Sequence, residues 1–386
     1  MKKLLSLLFK TAVCIALIVI GVHIANTVAD RLDPWKNKVP EKITDIGSPY
    51  KFYYDNLTDI EKHAYNEIIS NIYTMPEKIR IPALDKEGID NVFSAILADN
   101  PDLFFIGRKC YLMSQGFLTY CSVDYYIDSE EYPEHKKKLD EVCNKVISSL
   151  SNPDDEFKTE LEIHDYIVNN CSYRLEKDEF VYSSAYGALV NGEAGCEGYS
   201  KATKLLLDMT GIESSVVSGT STDADDKTSS HMWNVVNVNG DFYHLDCTWD
   251  DPVSDNGKEI LTYSYFNLSD EMIADTHSDF SYEFDCDATA ENYFVKKKSY
   301  FKSYGRSDET RVAGIIADTV NGGSREVYLS FADKKAYDNA VSELIDSRRI
   351  YKVLRNARKK TKVKIATDSV SCLPDPDRRI LTFIID

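Results

Sequence analysis

The stretch HMWNVVNVNGDFYHLDCTW, residues 231 to 249, holds an Asn239-Gly240 pair between two alternating apolar runs. A two-residue type I′ turn needs φ > 0 at both central positions, which Asn and Gly tolerate, so this pair is a strong hairpin signal. With Asn239 and Gly240 as the turn, Val238 pairs with Asp241, and counting back sets Trp233 opposite Asp246. His231 then shares a face with Asp246, one diagonal step away. Diagonal neighbours lie about 7–8 Å apart at the backbone, close enough for an imidazole and a carboxylate to meet. A slip of one residue would send them to opposite faces. The hairpin therefore predicts a His–Asp pair.

A second stretch, NGEAGCEGYSKATKLLLDMTG (191 to 211), places Cys196 between Gly195 and Gly198 where a helix begins. KATKLLLDMT is rich in helix formers, and Gly211 occupies the C-terminal cap position. A cysteine on the first turn faces unpaired N–H groups and the positive end of the dipole, which favour a thiolate. The glycines are expected to let a substrate backbone approach the sulfur. A thiolate on a helix N-terminus, a histidine on a strand and an acid orienting that histidine form a Cys196-His231-Asp246 nucleophilic triad. The Cys196 N–H is the expected first oxyanion donor. Tyr186 and Tyr199 are candidates for a second.

GEAGCEGYSKATKLLL, SSHMWNVVNVNGDFYHLDCTWDDP and the upstream HDYIVNNCSY together resemble the transglutaminase-like superfamily of cysteine enzymes, over about residues 155 to 285. The resemblance implies an α+β, papain-like/transglutaminase-like core, with the Cys-bearing helix packed on an antiparallel sheet bearing His231 and Asp246. It implies a cysteine-dependent acyl transferase or hydrolase, a peptidase or protein-glutamine transferase, acting on protein or peptide amides through a Cys196 thioester without a cofactor. Gly195, where many relatives have an apolar residue, and Met232, where alanine is common, depart from the family pattern. The alternative is a non-catalytic module of the same fold that binds peptide or cell-wall partners.

Trp233, Trp249, Gly195 and Tyr199 are expected on the substrate side, the tryptophans as walls. His164 reads as a packed helix histidine, and Asp250 as part of a turn that helps to position its loop. His231, His244 and Asp246 share a face, but no metal-ligand spacing accompanies them, so no metal site is expected. The nine cysteines include no C-x-x-C pair, and most are expected to be buried thiols.

A formal charge of −18 argues against nucleic acid as a partner. Lys2 and Lys3 precede an apolar run from Leu4 to Ala25, long enough to cross a bilayer. It reads as an uncleaved anchor, with a signal peptide cut after Ala29 as the alternative. Either way the body lies outside the cytoplasm, at the membrane or secreted.

The expected divisions are 1–29 (anchor or signal peptide), 30–50 (linker), 51–150 (accessory helices and strands), 151–290 (transglutaminase-like catalytic domain) and 291–386 (small α+β domain). The last is expected to run EVYLSFA, one long helix DKKAYDNAVSELIDSRRIYKVLRNARKK, then strands VKIAT and RRILTFIID. The basic end of that helix, Arg355 to Lys360, reads as a solvated face, with an anionic wall polymer as the partner it would suit.

Overall fold

The computed structural model describes residues 11–386 except 12, 14, 25, 26, 29–32, 175–177, 253–260 and 282–283. The expected membrane segment falls partly outside this set. Residues 15–24 are helical and exposed, and among the described residues no helix is long and apolar enough to cross a membrane. The chain divides into two compact units, Met1–Asp140 and Glu141–Asp386.

In the first unit, α1 (Asp59–Ile72) starts on a capping box formed by Thr58 and Glu61. It buries Ala64, Tyr65, Ile68, Ile69 and Ile72, the i, i+4 stripe of an amphipathic helix. A three-stranded antiparallel sheet, in the order β1 (Ile79–Ile81), β3 (Leu118–Tyr125), β2 (Ile106–Gln115), accompanies it together with α2 (Lys86–Asp99). Helix α3 (Tyr132–Ser149) leads towards the second unit.

The second unit carries the two motifs. Helix α4 (Glu156–Asn170) is followed by α5 (Cys196–Thr210), which Gly211 ends in the left-handed conformation at φ 81°. Tyr199, Ala202, Leu206 and Leu207 of α5 are fully buried; each large side chain contributes roughly 1.5–3 kcal/mol by leaving water. A four-stranded antiparallel sheet runs in the order β6 (Asp241–Leu245), β5 (Thr228–Val238), β4 (Ser214–Thr222), β7 (His277–Ser278). Asn239 and Gly240 turn the β5–β6 hairpin with φ of 55° and 93°, and Val238 pairs with Asp241. The register continues to Asn234 opposite Leu245, which leaves Trp233 level with Asp246 just beyond the last paired residues.

Residues beyond 291 build their own sheet and core inside this unit: β8 (Tyr300–Phe301), β9 (Glu326–Phe331), β11 (Ile380–Ile384) and β10 (Ser371–Asp375), in that order. Helix α6 (Glu309–Asn321) packs with them. Two expectations fail here. The long helix is divided into α7 (Lys334–Ala340), a π-helical stretch and α8 (Ile350–Arg358), with Arg348 in the left-handed region at φ 53°. VKIAT is not a strand; besides β9, the partner of β11 is Ser371–Asp375, which alternates poorly in sequence and sits on the sheet edge.

Candidate active site

The sulfur is delivered by α5 and the imidazole by β5, and three buried contacts tie α5 to β5, to β4 and to the segment after β6. Asn234 Nδ2 donates to the Ser200 carbonyl at 3.0 Å, Thr203 Oγ1 approaches Cys247 Sγ at 3.4 Å, and the Lys204 ammonium donates to the Ser214 carbonyl at 2.6 Å. Burying Lys204 requires such partners, because an unpaired ammonium in the interior is costly.

His231 Nε2 donates to Asp246 Oδ2 at 2.6 Å. The Cys196 sulfur lies near enough to the ring to act on its charge. With Nε2 turned to the acid, Nδ1 is left for the sulfur. Burial works against a charged ring, but the Asp246 carboxylate and the Cys196 sulfur outweigh it and push His231 up to about 10. Burial likewise works against the Asp246 carboxylate, and the His231 charge with hydrogen bonds from His231 and His277 holds it well below the usual carboxylate range. Asp246 Oδ1 accepts the backbone N–H groups of Thr248 and Trp249 at 2.9 and 3.1 Å, so every lone pair aimed at the protein is used.

His277 is the residue sequence reasoning missed. From β7 its Nε2 reaches the same Asp246 oxygen as His231, at 3.1 Å, and its Nδ1 meets Thr276 Oγ1 at 2.8 Å. It is fully buried between Trp233 and Trp249, with ring centroids 4.8 and 4.9 Å away. THSDFS in the sequence has no strand alternation, so nothing local brings His277 to the site; only its pairing with β4 does.

Tyr182 was missed as well. Its ring stands where a side chain at Gly195 would be, a Cβ there lying 2.1 Å from Cε2, and its hydroxyl interacts with both the Cys196 sulfur and Tyr173. Gly195 thus admits the Tyr182 ring, a packing role that the sequence reading did not foresee. Gly198 packs against Ala194 and the carbonyls of Tyr182 and Ser184.

The structure separates the other expected residues. Trp249 lines the cleft. Trp233 and Tyr199 do not, because both are fully buried: Trp233 Nε1 donates to His244 Nδ1 at 3.0 Å and Tyr199 OH to Asp251 at 2.6 Å. They hold the site from behind. Tyr186 is buried against Phe180 and does not line the cleft. His164 bridges Asp250 (3.2 Å) and Asp165 (3.0 Å), while Asp250 Oδ1 takes Thr262 Oγ1 and the Tyr265 N–H. This buried cluster fixes the loop after Asp246.

Two groups of ligand-type atoms are close enough to surround an ion: His231, Asp246 and His277, and His244, Asp270 and Cys286. In the second, Trp233 donates to His244 Nδ1, so the ring proton sits on Nε2, the nitrogen a metal would need. In the first, both Nε2–H groups are committed to Asp246. None of the described cysteines is in a disulfide.

A cleft of about 890 Å³ opens in front of His231. Thr248, Trp249, Tyr173 and the β4–β5 loop line it, together with Asp375, Asp377 and Arg378 from the carboxy-terminal sheet.

Residues 144–247, which hold all three of Cys196, His231 and Asp246, match the family described as the transglutaminase-like superfamily core. No curated protein sequence matches the chain. Among solved structures it is similar to a TGase at 15% identity and a TM-score of 0.27, covering 43% of this chain and 48% of that one. It is also similar to a proposed cysteine protease from Cytophaga hutchinsonii (14% identity, TM-score 0.24, 48% and 80% covered). A proposed protease from Parabacteroides distasonis gives 13% identity and a TM-score of 0.24, with 40% of each chain covered. The chain thus spans about half the length of the TGase it matches.

Proposed function

We propose that the protein is a cysteine-dependent enzyme acting on protein or peptide amides, with its body on the outer side of a membrane. The observation that carries the chemistry is the His231–Asp246 contact of 2.6 Å, with the Cys196 sulfur near the same ring. The apolar run behind Lys2 and Lys3 supports the location.

In this reading His231 holds the thiol proton at rest, and the Cys196 thiolate attacks the amide carbonyl carbon. The oxyanion accepts the Cys196 N–H, which as a first-turn donor has no partner within its helix. His231 passes its proton to the leaving nitrogen as the C–N bond breaks, leaving a thioester on Cys196. Water then attacks the thioester, His231 takes its proton, and the carboxylic acid leaves as the thiol re-forms. An amine in place of water would give a new amide. We favour water: the cleft is broad and half polar, and nothing in its lining keeps solvent out. Its acids, among them Asp223, Asp226, Asp375 and Asp377, outnumber Lys227 and Arg378, so the matched substrate segment is cationic.

The test has two parts. Iodoacetamide is expected to label Cys196 ahead of the other thiols below pH 7, and His231→Ala to abolish that preference. Incubation with casein and a fluorescent amine is expected to yield fragments. Label incorporated without cleavage would make the enzyme a transferase, and labelling of Cys196 like an ordinary thiol would remove catalysis altogether.

A further inference from the structure

Residues 348–364, RRIYKVLRNARKKTKVK, contain nine basic residues and no acidic one. The chain's −18 includes these nine positive charges, so the remainder stands at −27. Such segregation does not follow from solubility, which either sign of net charge provides.

The structure shows how the segment is presented. In α8, Ile350, Val353, Leu354 and Ala357 point into the carboxy-terminal core, which turns Lys352, Arg355 and Arg358 outward. Neighbours three or four apart on a helix stand about 5–6 Å from each other. Lys359, Lys360, Lys362 and Lys364 continue the exposed row past the helix end. Among the described residues, Glu309 and Glu343 are the acids that reach the segment, and they engage Arg349 and Lys352. The row from Arg355 onward has no ion pair among the described residues.

We infer that this face binds a linear phosphodiester polymer without bases, of the poly(polyol phosphate) kind. Three observations select that partner. A row of point charges along a helix and its extension fits a flexible chain of phosphates. A membrane-surface helix needs its apolar face free to enter the headgroup region, and here that face is spent on the protein's own core. Single-stranded nucleic acid is held by aromatic rings interleaved with the cations; Tyr351, the one aromatic residue of the segment, packs against that same core.

The inference stands independently of the catalytic reading. Its test is fluorescence anisotropy of labelled poly(glycerol phosphate) with the full-length chain in non-ionic detergent, from 50 to 200 mM salt. About five phosphate contacts give a log–log salt slope near −3.5, or roughly a 100-fold weaker affinity across that range. The triple variant Arg355→Glu, Lys359→Glu, Lys360→Glu changes exposed side chains alone and is expected to bind at least tenfold more weakly, with iodoacetamide labelling of Cys196 unchanged. No binding at 50 mM salt, or equal binding by the triple variant, overturns the inference. So does an equal or higher affinity for an oligo(dT) of matched charge or for vesicles containing phosphatidylglycerol.

Discussion

Asp246→Asn is the most informative single change. In the native site one carboxylate oxygen receives Nε2–H from both His231 and His277, and the other receives two backbone N–H groups. Asparagine can keep the backbone pair on its oxygen, which turns its NH₂ towards both rings. Each Nε2 must then become an acceptor. For His231 this moves the ring proton to Nδ1, opposite the sulfur, so the ring can no longer take the thiol proton there. The shift at stake is large. His231 rises from an ordinary 6.5 to about 10, and at ~1.4 kcal/mol per unit this is about 5 kcal/mol favouring the imidazolium. Without the carboxylate the largest influence that raises the ring is gone, and the Cys196 sulfur alone is left to oppose burial. With no imidazolium beside the sulfur, the charge partner that favours a thiolate is gone, so iodoacetamide labelling of Cys196 at pH 6 is expected to fall to that of an ordinary thiol. Turnover should fall by about 10⁴, the scale expected when a triad histidine is held in the wrong tautomer. The assay is peptide-level mass spectrometry of alkylation from pH 5 to 9, with circular dichroism to check folding. A folded Asp246→Asn protein that keeps the wild-type labelling profile would refute the reasoning.

Three further outcomes follow from the same geometry. His277→Gln removes one donor from Asp246 and one side of the packing around His231; kcat is expected to fall about tenfold while low-pH labelling of Cys196 persists, because Asp246 still faces His231. Gly195→Ala drives a Cβ into the Tyr182 ring and should cost about 1–3 kcal/mol in urea unfolding, with Tyr182→Ala relieving part of that cost in the double variant. His164 is raised to about 9, burial being outweighed by Asp165 and Asp250, so its contribution to stability is full below pH 6.5 and is lost as pH rises through 9. The stability difference between wild type and His164→Gln should therefore shrink from pH 6 to pH 10, and a constant difference would contradict a charged native His164.

The parts of the site legible in the sequence are those set by local rules. Asn239-Gly240 determines a turn, the turn determines a register, and the register places His231 beside Asp246 without reference to the rest of the chain. The helix behind Cys196 is equally local, bounded by its composition and by Gly211. What escaped notice depends on pairings between distant segments. His277 lies on a two-residue strand whose only signal is its partner β4. Tyr182 lies on one turn of helix, and its meaning appears only when Gly195 is seen beneath its ring. Trp233 and Tyr199 were expected at the surface because aromatic residues near a nucleophile suit either a wall or a core, and sequence does not say which side of the sheet holds the void. The long carboxy-terminal helix was misread for the opposite reason: no glycine or proline in 334–360 marks a break, yet the chain leaves the helix where Arg348 adopts the left-handed conformation.

Asp375 at the end of β10, and Asp377 and Arg378 in the turn to β11, border the cleft although they come from the last dozen residues of the chain. Trimming the polypeptide to its family-matching segment would leave the triad with an open flank. Altering that terminal hairpin would reshape the cleft while leaving Cys196 and its helix untouched.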